Sequence, residues 1–423
     1  MRIPSNTSSN RRGVASLRLP RALAGVLAPA RAVARREKAR LYVAGGAVRD
    51  LLLGRPVRDV DLVIVGDLPR FARELSRDLG AHARLHRRFD TATILLSDGR
   101  SFDVARARTE VYDRPGALPR VVSADRIEDD LLRRDFTINA MAIEIAPGRS
   151  LRLFDLYGGR SDLARRRFDI LHPCSFPDDP TRALRAVRYA SRLGFTIGPR
   201  TRRALRDAIR NRFFESISGE RLRREVELVL SEDGRANAVR WIGRLGLAEA
   251  IDPALRVDSR VVARIRRAEA MAKRLRIDVS WLAYLLAWTG PMTASAARAL
   301  AHRLRLAGTA RRVVLAWPSS WERLRASRHL TPSGVAELRL TPEERLAALL
   351  LLPEAARRRL RRSLQASPVR LSITGADLLR AGWTPGPGIG RALARTLAAR
   401  RDGMIASEQE LDFALGRLEQ TTP

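Results

Sequence analysis

Cysteine is almost absent: Cys174 is the only one in 423 residues, which excludes an intrachain disulfide and a multi-cysteine zinc knuckle. A lone thiol fits a reducing, intracellular compartment. Lysine is nearly as scarce, with Lys38 and Lys273 alone. No run reaches the roughly 18 apolar residues of a membrane-crossing helix. The longest, Trp281–Trp288 and Leu346–Leu352, have the length of core-helix segments. None of the five histidines precedes an aspartate and they do not cluster, so no appended metal phosphohydrolase domain is expected. Acidic residues are missing until Glu37, and the Ser- and Arg-containing leader shares that pattern with mitochondrial transit peptides. Arginine is dense along the whole chain, however, so composition alone accounts for the leader. The expected location is cytoplasmic.

What fills the gaps is arginine. Lys+Arg number 79 against 46 Asp+Glu, a net charge of +33, and 77 of the basic residues are Arg. Genomic drift explains Arg over Lys but not the surplus itself. A charge of this size attracts a polyanion by releasing its counterions, so a nucleic-acid partner is expected. At about 150 residues per domain the length suits two to four domains.

Hydrophobic patterning divides the chain. Residues 1–16 read as a disordered arm, and 17–38 carry apolar residues at helical spacing. Short β-type runs follow at Leu41–Ala44, Val60–Val65, Thr91–Leu96, Phe102–Ala105 and Met141–Ile145, with Phe71–Leu79 helical and Ser97–Arg100 a hairpin turn. This is a head of about five strands over 17–150. Beyond about 160 the pattern is helical almost to the end, with breaks at Leu171–Pro180, Ser231–Arg235, Thr289–Thr293, Pro318–Ser320, Thr331–Gly334 and Pro385–Gly390. The division expected is a neck over 151–235, a body over 236–360 and a tail over 361–423. The class is α+β: one small α/β head, then an elongated all-helical remainder.

Two features of the head carry chemistry. Asp59-Val60-Asp61 opens a strand, where residues i and i+2 share a face, so both carboxylates project together. Such a pair repels itself unless cations bridge it, and hard oxygens suit Mg²⁺. Asp103, on a hairpin strand, supplies a third acid, and three carboxylates around two metals suit in-line attack on phosphorus. The second feature is Gly45-Gly46-Ala47-Val48-Arg49-Asp50 between a strand and a short helix. Glycines there bring backbone N–H groups to phosphate oxygens, and Arg49 adds a forked donor.

Gly45 to Arg55 running into Asp59-Val60-Asp61 resembles the catalytic signature of the class II tRNA nucleotidyltransferase/poly(A) polymerase family, whose head is polymerase-beta-like. Arg133–Met141, Asp178–Arg188 and Gly219–Glu225 resemble further family motifs in the right order, and Ile373–Gly390 resembles the family's C-terminus. The resemblance implies CCA addition to tRNA 3′ ends from CTP and ATP, with Mg²⁺ on Asp59 and Asp61 and Asp103 helping activate the 3′-hydroxyl. It implies a nucleotide site of Gly46, Arg49, Arg134, Asp179, Arg182, Arg185 and Arg188, where Asp179 and Arg182 read the base. Cytosine and adenine each offer an amino donor beside a ring acceptor, which an Asp–Arg pair matches; uracil and guanine do not. Family members often have Glu-Asp at Asp178-Asp179, a departure that bears on fine specificity. Taken alone, Arg182, Arg185 and Arg188 also fit a solvated helical stripe, with Asp179-Pro180 an ordinary helix cap.

The Pro- and Gly-containing segment Arg108–Pro119 reads as a mobile loop similar to the family element needed for adding A. Gly219–Glu227 reads as a charge-braced helix under the head. Body and tail are expected to grip tRNA, through basic stretches such as His302–Arg305, Arg311-Arg312 and Arg357–Arg362, while Trp317, Trp321 and Trp383 read as packing residues. The alternatives are an enzyme adding only the terminal A, a poly(A) polymerase, or a catalytically inactive RNA-binding protein.

Overall fold

The alternation of apolar strands with glycine and aspartate turns builds a sheet first and helices afterwards. The computed structural model describes residues 21–57, 60–145, 151–275, 280–327, 330–366 and 368–418. The arm over 1–16 and Asp59 lie outside them. The chain divides into two compact units, Met1–Arg221 with Leu245–Ala250, and Leu222–Arg244 with Ile251–Pro423. The mixed α/β head followed by helices is the α+β arrangement the patterning implies.

In the first unit, α1 (Arg21–Arg36) leads into β1 (Arg40–Ala44), α2 (Gly46–Leu52), β2 (Asp61–Val65) and α3 (Leu68–Leu79). Then come β3 (His82–His86), β4 (Thr91–Leu95), β5 (Ser101–Arg106), β6 (Arg108–Val111), β7 (Arg120–Ser123), α4 (Ile127–Leu132), β8 (Met141–Glu144) and β9 (Arg152–Asp155). Seven strands form one sheet in the order β3-β4-β5-β2-β1-β8-β9. All neighbours are antiparallel except β2 and β5. Tyr42, Val43, Leu62, Val63 and Ile64 are fully buried in succession, so β1 and β2 are covered on both faces, and Phe71 of α3 is fully buried as well.

The sheet exceeds the expected five strands by β3 and β9. β3 reads His-Ala-Arg-Leu-His and lies at an edge, mostly exposed; it alternates, but only Ala83 and Leu85 are apolar, too short a pattern to stand out. β9 lies just past residue 150. The segment read as a loop is also structured, since β6 and β7 pair as a separate two-stranded hairpin.

The helices after the sheet include α5 (Gly159–Ala164), α6 (Ser175–Asp178), α7 (Arg182–Leu193), α8 (Pro199–Arg210) and α9 (Gly219–Ser231). Leu184 and Val187 of α7 are fully buried, as its period implies. The second unit is helical. Its core includes the run Leu282–Trp288, buried throughout, with Trp288 Nε1 donating to the Leu255 carbonyl at 2.9 Å. Pro318 does not break the chain: it sits inside the helix Gly308–Ala326, where buried Trp317 and Trp321 pack with ring centroids 5.7 Å apart. Proline costs that helix one backbone bond, and the packing of its buried face offsets the loss. Trp383 packs on the small cluster of Leu378, Ala392 and Ala414.

Candidate active site

β2 and β5 are parallel neighbours in which Asp61 pairs with Asp103, so two exposed carboxylates stand side by side on one face of the sheet. Thr93 of β4 is the next residue in the row, and its hydroxyl donates to Asp103 Oδ1 at 2.7 Å. Hard carboxylate oxygens at adjacent positions are the donor chemistry that suits a divalent cation. Among the described residues no group of three His, Cys, Asp or Glu forms.

At the end of β1, Gly45 takes φ 74°, a region open to glycine, and its N–H donates to the Met141 carbonyl at 3.0 Å. A Cβ on Gly45 would collide with Arg134 Nη1 and stand 3.6 Å from Asp61 Oδ2. The bare turn thus lets a guanidinium and a carboxylate approach the same point, and Gly46 starts α2 beside them. Arg134 is held from behind by Asp130 Oδ2, which accepts from its Nη2 at 2.9 Å, while Arg133 Nε takes Asp130 Oδ1 at 2.9 Å. Burial opposes a charge on Asp130, but Arg134 and Arg133 hold its carboxyl below the usual carboxylate range. Arg133 Nη1 also reaches Glu110 Oε1 at 2.8 Å, and the Tyr112 hydroxyl donates to Glu110 Oε2 at 2.7 Å. Burial and the Glu110 charge push the Tyr112 phenol up.

Arg49 faces inward, only 3% exposed. Its Nε and Nη2 donate to Asp50 and its Nη1 to Asn139 Oδ1 at 2.7 Å. Asn139 Nδ2 in turn donates to Asp135 Oδ1 at 2.9 Å, and Asp135 Oδ2 receives Arg185 Nε and Nη2 at 2.9 and 2.6 Å. A chain of polar side chains therefore runs from the glycine turn to α7. The Tyr189 ring gathers three guanidinium groups, those of Arg49, Arg188 and Arg192, at 5.2–5.9 Å from its centroid.

Arg182, Arg185 and Arg188 of α7 are not one solvated stripe. Arg182 is 6% exposed, with Nη1 on Ser175 Oγ at 3.0 Å and Nη2 on the Arg133 carbonyl at 2.8 Å. Asp179 stands three residues before α7, and Thr181, not Asp179, is the capping position. Asp179 Oδ1 accepts from the Thr181 N–H, the Thr181 hydroxyl and Arg221 Nη2, at 3.0, 2.6 and 2.6 Å. Burial raises the neighbouring Asp178. The tip of the β6–β7 hairpin is tied down here as well: Gly116 N–H donates to the Pro177 carbonyl at 3.3 Å, and its carbonyl accepts from Arg221 Nη1 at 2.8 Å.

Asp61 and Asp103 are thus brought together with Gly45, Gly46 and Arg134, while Asp179, Arg182, Arg185 and Arg188 gather on and beside α7. The segment Arg133–Asn139 supplies Arg134 to the first group and bonds to Arg182 and Arg185 in the second. Sequence reasoning missed Thr93, Asp130, Asp135 and Asn139. One signal for Thr93 was present: it and Asp103 are equally distant from Asp98 in the hairpin turn, which sets them opposite each other. Arg221, read as a helix brace, is instead bonded to Asp179.

A sheet with paired acids beside a glycine turn, continued by arginine-bearing helices, defines a nucleotidyltransferase head, and residues 41–169 match the family model described as the Poly A polymerase head domain. The CC-adding tRNA nucleotidyltransferase of Deinococcus radiodurans is 31% identical over 89% of this chain and 88% of its own length. The chain belongs to the class II tRNA nucleotidyltransferase/poly(A) polymerase family. An A-adding tRNA nucleotidyltransferase of Geobacter sulfurreducens is 39% identical over 51% of this chain and 24% of its own length. Three A-adding relatives are matched over only 24% to 45% of their lengths, so this chain spans less than half of each. The structure of the Thermotoga maritima CCA-adding enzyme complexed with tRNA_CCA superposes with a TM-score of 0.77 at 28% identity, covering 96% of this chain and 97% of that one. No helix among the described residues is long and apolar enough to cross a membrane.

Proposed function

We propose that this chain is a template-independent RNA nucleotidyltransferase that builds or repairs the 3′-terminal CCA of tRNA from CTP and ATP. The observation that carries the reading is Asp61 paired with Asp103 on one sheet face, beside the Gly45 turn and Arg134. Likeness to the CC-adding relative along nearly its whole length supports it, as does likeness to an enzyme solved with tRNA.

Asp59 and Asp61 are the proposed Mg²⁺ ligands. Bound Mg²⁺ neutralises the triphosphate and strengthens the α-phosphorus as an electrophile. The 3′-hydroxyl gives its proton to Asp103, its oxygen attacks the α-phosphorus, and the bond to pyrophosphate breaks. Gly46 N–H and Arg134 hold phosphate oxygens, and catalysis is mostly positioning and charge neutralisation. Arg49 acts from within, orienting the turn through Asp50 and Asn139. Asp179 accepts from the base amino group and Arg182 donates to the ring acceptor. Thr181 and Arg221 engage Oδ1 of Asp179, which holds the carboxylate in place and leaves Oδ2 for the base. Arg185 and Arg188 frame that site. The exposed arginines of the second unit are proposed to hold tRNA phosphates, and the proposed location is cytoplasmic.

The likeness to A-adding relatives favours one second reading, addition of the terminal A alone. One experiment separates them. Purified protein with Mg²⁺ is given tRNA transcripts ending before CCA, after C and after CC, with CTP, ATP or both. Growth of all three to full CCA, then a stop, supports the first reading. Addition of A to the CC-ended transcript alone supports the second. Long A ladders mean a poly(A) polymerase, and no extension means an RNA-binding protein without this chemistry.

A further inference from the structure

β4 alternates: Ala92 and Ile94 are fully buried, so Thr91 and Thr93 face the side of the sheet that carries the acids. The register then builds a row across four strands, Arg84 opposite Thr93, Thr93 opposite Asp103 and Asp103 opposite Asp61. Within that row Thr93 Oγ1 donates to Asp103 Oδ1 at 2.7 Å, and His86 Nε2 lies 3.2 Å from the same hydroxyl oxygen. A hydroxyl has one proton and two lone pairs. With the proton committed to Asp103, Oγ1 accepts from His86, which carries its hydrogen on Nε2. The result is a directed chain, His86 to Thr93 to Asp103, that ends on one of the paired acids.

Asp103 stands on an exposed strand position, where a carboxylate is free to rotate about its terminal bond. The bond from Thr93 stops that rotation. It engages Oδ1, leaves Oδ2 to the substrate and costs no charge in the site. We propose that Thr93 is a positioning residue for Asp103, and that His86 orients the Thr93 hydroxyl. This rests on the reading of Asp103 as the group that receives the 3′-hydroxyl proton. No proton passes along the chain: the 3′-hydroxyl proton goes to Asp103, and Thr93 and His86 keep theirs.

The test uses the full chain with Mg²⁺, CTP and a tRNA transcript ending before CCA. Thr93→Val keeps the shape and removes the hydroxyl, Thr93→Ser restores it, and His86→Phe removes the ring donor. Thr93→Val is expected to lower kcat at least about tenfold, the scale of misplacing a reacting group. KM for CTP, tRNA affinity by filter binding and the thermal midpoint should stay at wild-type values. Thr93→Ser should recover most of kcat, and His86→Phe should fall between. Wild-type kcat in Thr93→Val overturns the proposal, as does a Ser variant no better than Val. A loss of kcat that travels with lost tRNA affinity and a lowered midpoint also overturns it, since that marks general disruption. His86→Phe at the wild-type rate removes the histidine from the chain. A wild-type protein that extends no transcript overturns the functional reading with it, whereas an active wild type and an unaffected Thr93→Val overturn this proposal alone.

Discussion

Arg221 and Asp179 meet at 2.6 Å, Nη2 donating to Oδ1, while the other arm of the same guanidinium holds the Gly116 carbonyl at 2.8 Å. One side chain thus ties the proposed base-reading carboxylate to the tip of a hairpin more than sixty residues earlier in sequence. Arg221→Met keeps the stem and removes both bonds. The expected result is looser base choice: discrimination of CTP against UTP should drop about tenfold, the order of one polar contact in a specificity site. Competition between the two nucleotides on one transcript checks it, and kcat/KM for CTP should fall less than the discrimination does.

Gly45→Ala tests the crowding at the turn. The residue's φ of 74° disfavours any side chain, and the new methyl would displace Arg134. Gly54 is the control, since its φ is also positive but nothing lies within 4 Å of a Cβ there. Both alanine variants should lose about 1 kcal/mol in denaturant unfolding from backbone strain. Only Gly45→Ala should lose most of its nucleotide transfer as well.

Asp61→Ala should abolish transfer and leave tRNA binding intact, because the change removes one carboxylate from an exposed site and leaves the arginine surface untouched. Primer extension beside filter binding reads both. Residual turnover near the wild-type level would remove Asp61 from the site.

Asp135 carries a pH dependence. Burial opposes its charge, yet Arg185, the Asn139 amide and Arg182 outweigh burial and hold its carboxyl below the usual range. The folded value lies below the unfolded one, so its stabilising contribution is complete above the ordinary Asp range and fades as pH falls through the lowered folded value. Asp135→Asn should cost about 2 kcal/mol at pH 7, less than a fully buried pair because Arg185 is 40% exposed. The difference from wild type should shrink on acidification, as urea unfolding at pH 7, 5 and 3 will measure.

Much of this site was legible because its backbone signals are local. Val60–Val65 announces a strand, which forms as Asp61–Val65, while Gly45-Gly46 announces a turn and Ser97–Arg100 a hairpin, both where expected. What could not be read were properties set by distant partners. The spacing of Arg182, Arg185 and Arg188 is the same for a wet stripe and a buried network; the Arg133 carbonyl and Ser175 decide for Arg182, and Asp135 decides for Arg185. The β6–β7 hairpin was hidden because its connection is eight residues long and its strands are polar. Pro318 marks a stop in any local reading, and only the tryptophans around it explain why the helix continues.

β3 was invisible for the same reason that it is useful where it is. An edge strand offers unpaired N–H and C=O groups to any other strand, and a second molecule can add to it. Here the edge bears His82, Arg84 and His86 on one face, and Arg87 and Arg88 follow at once. Two copies approaching edge to edge would bring like charges together before any backbone bond could form. The polarity that concealed this strand therefore guards the β3 edge of the sheet against pairing with a second copy.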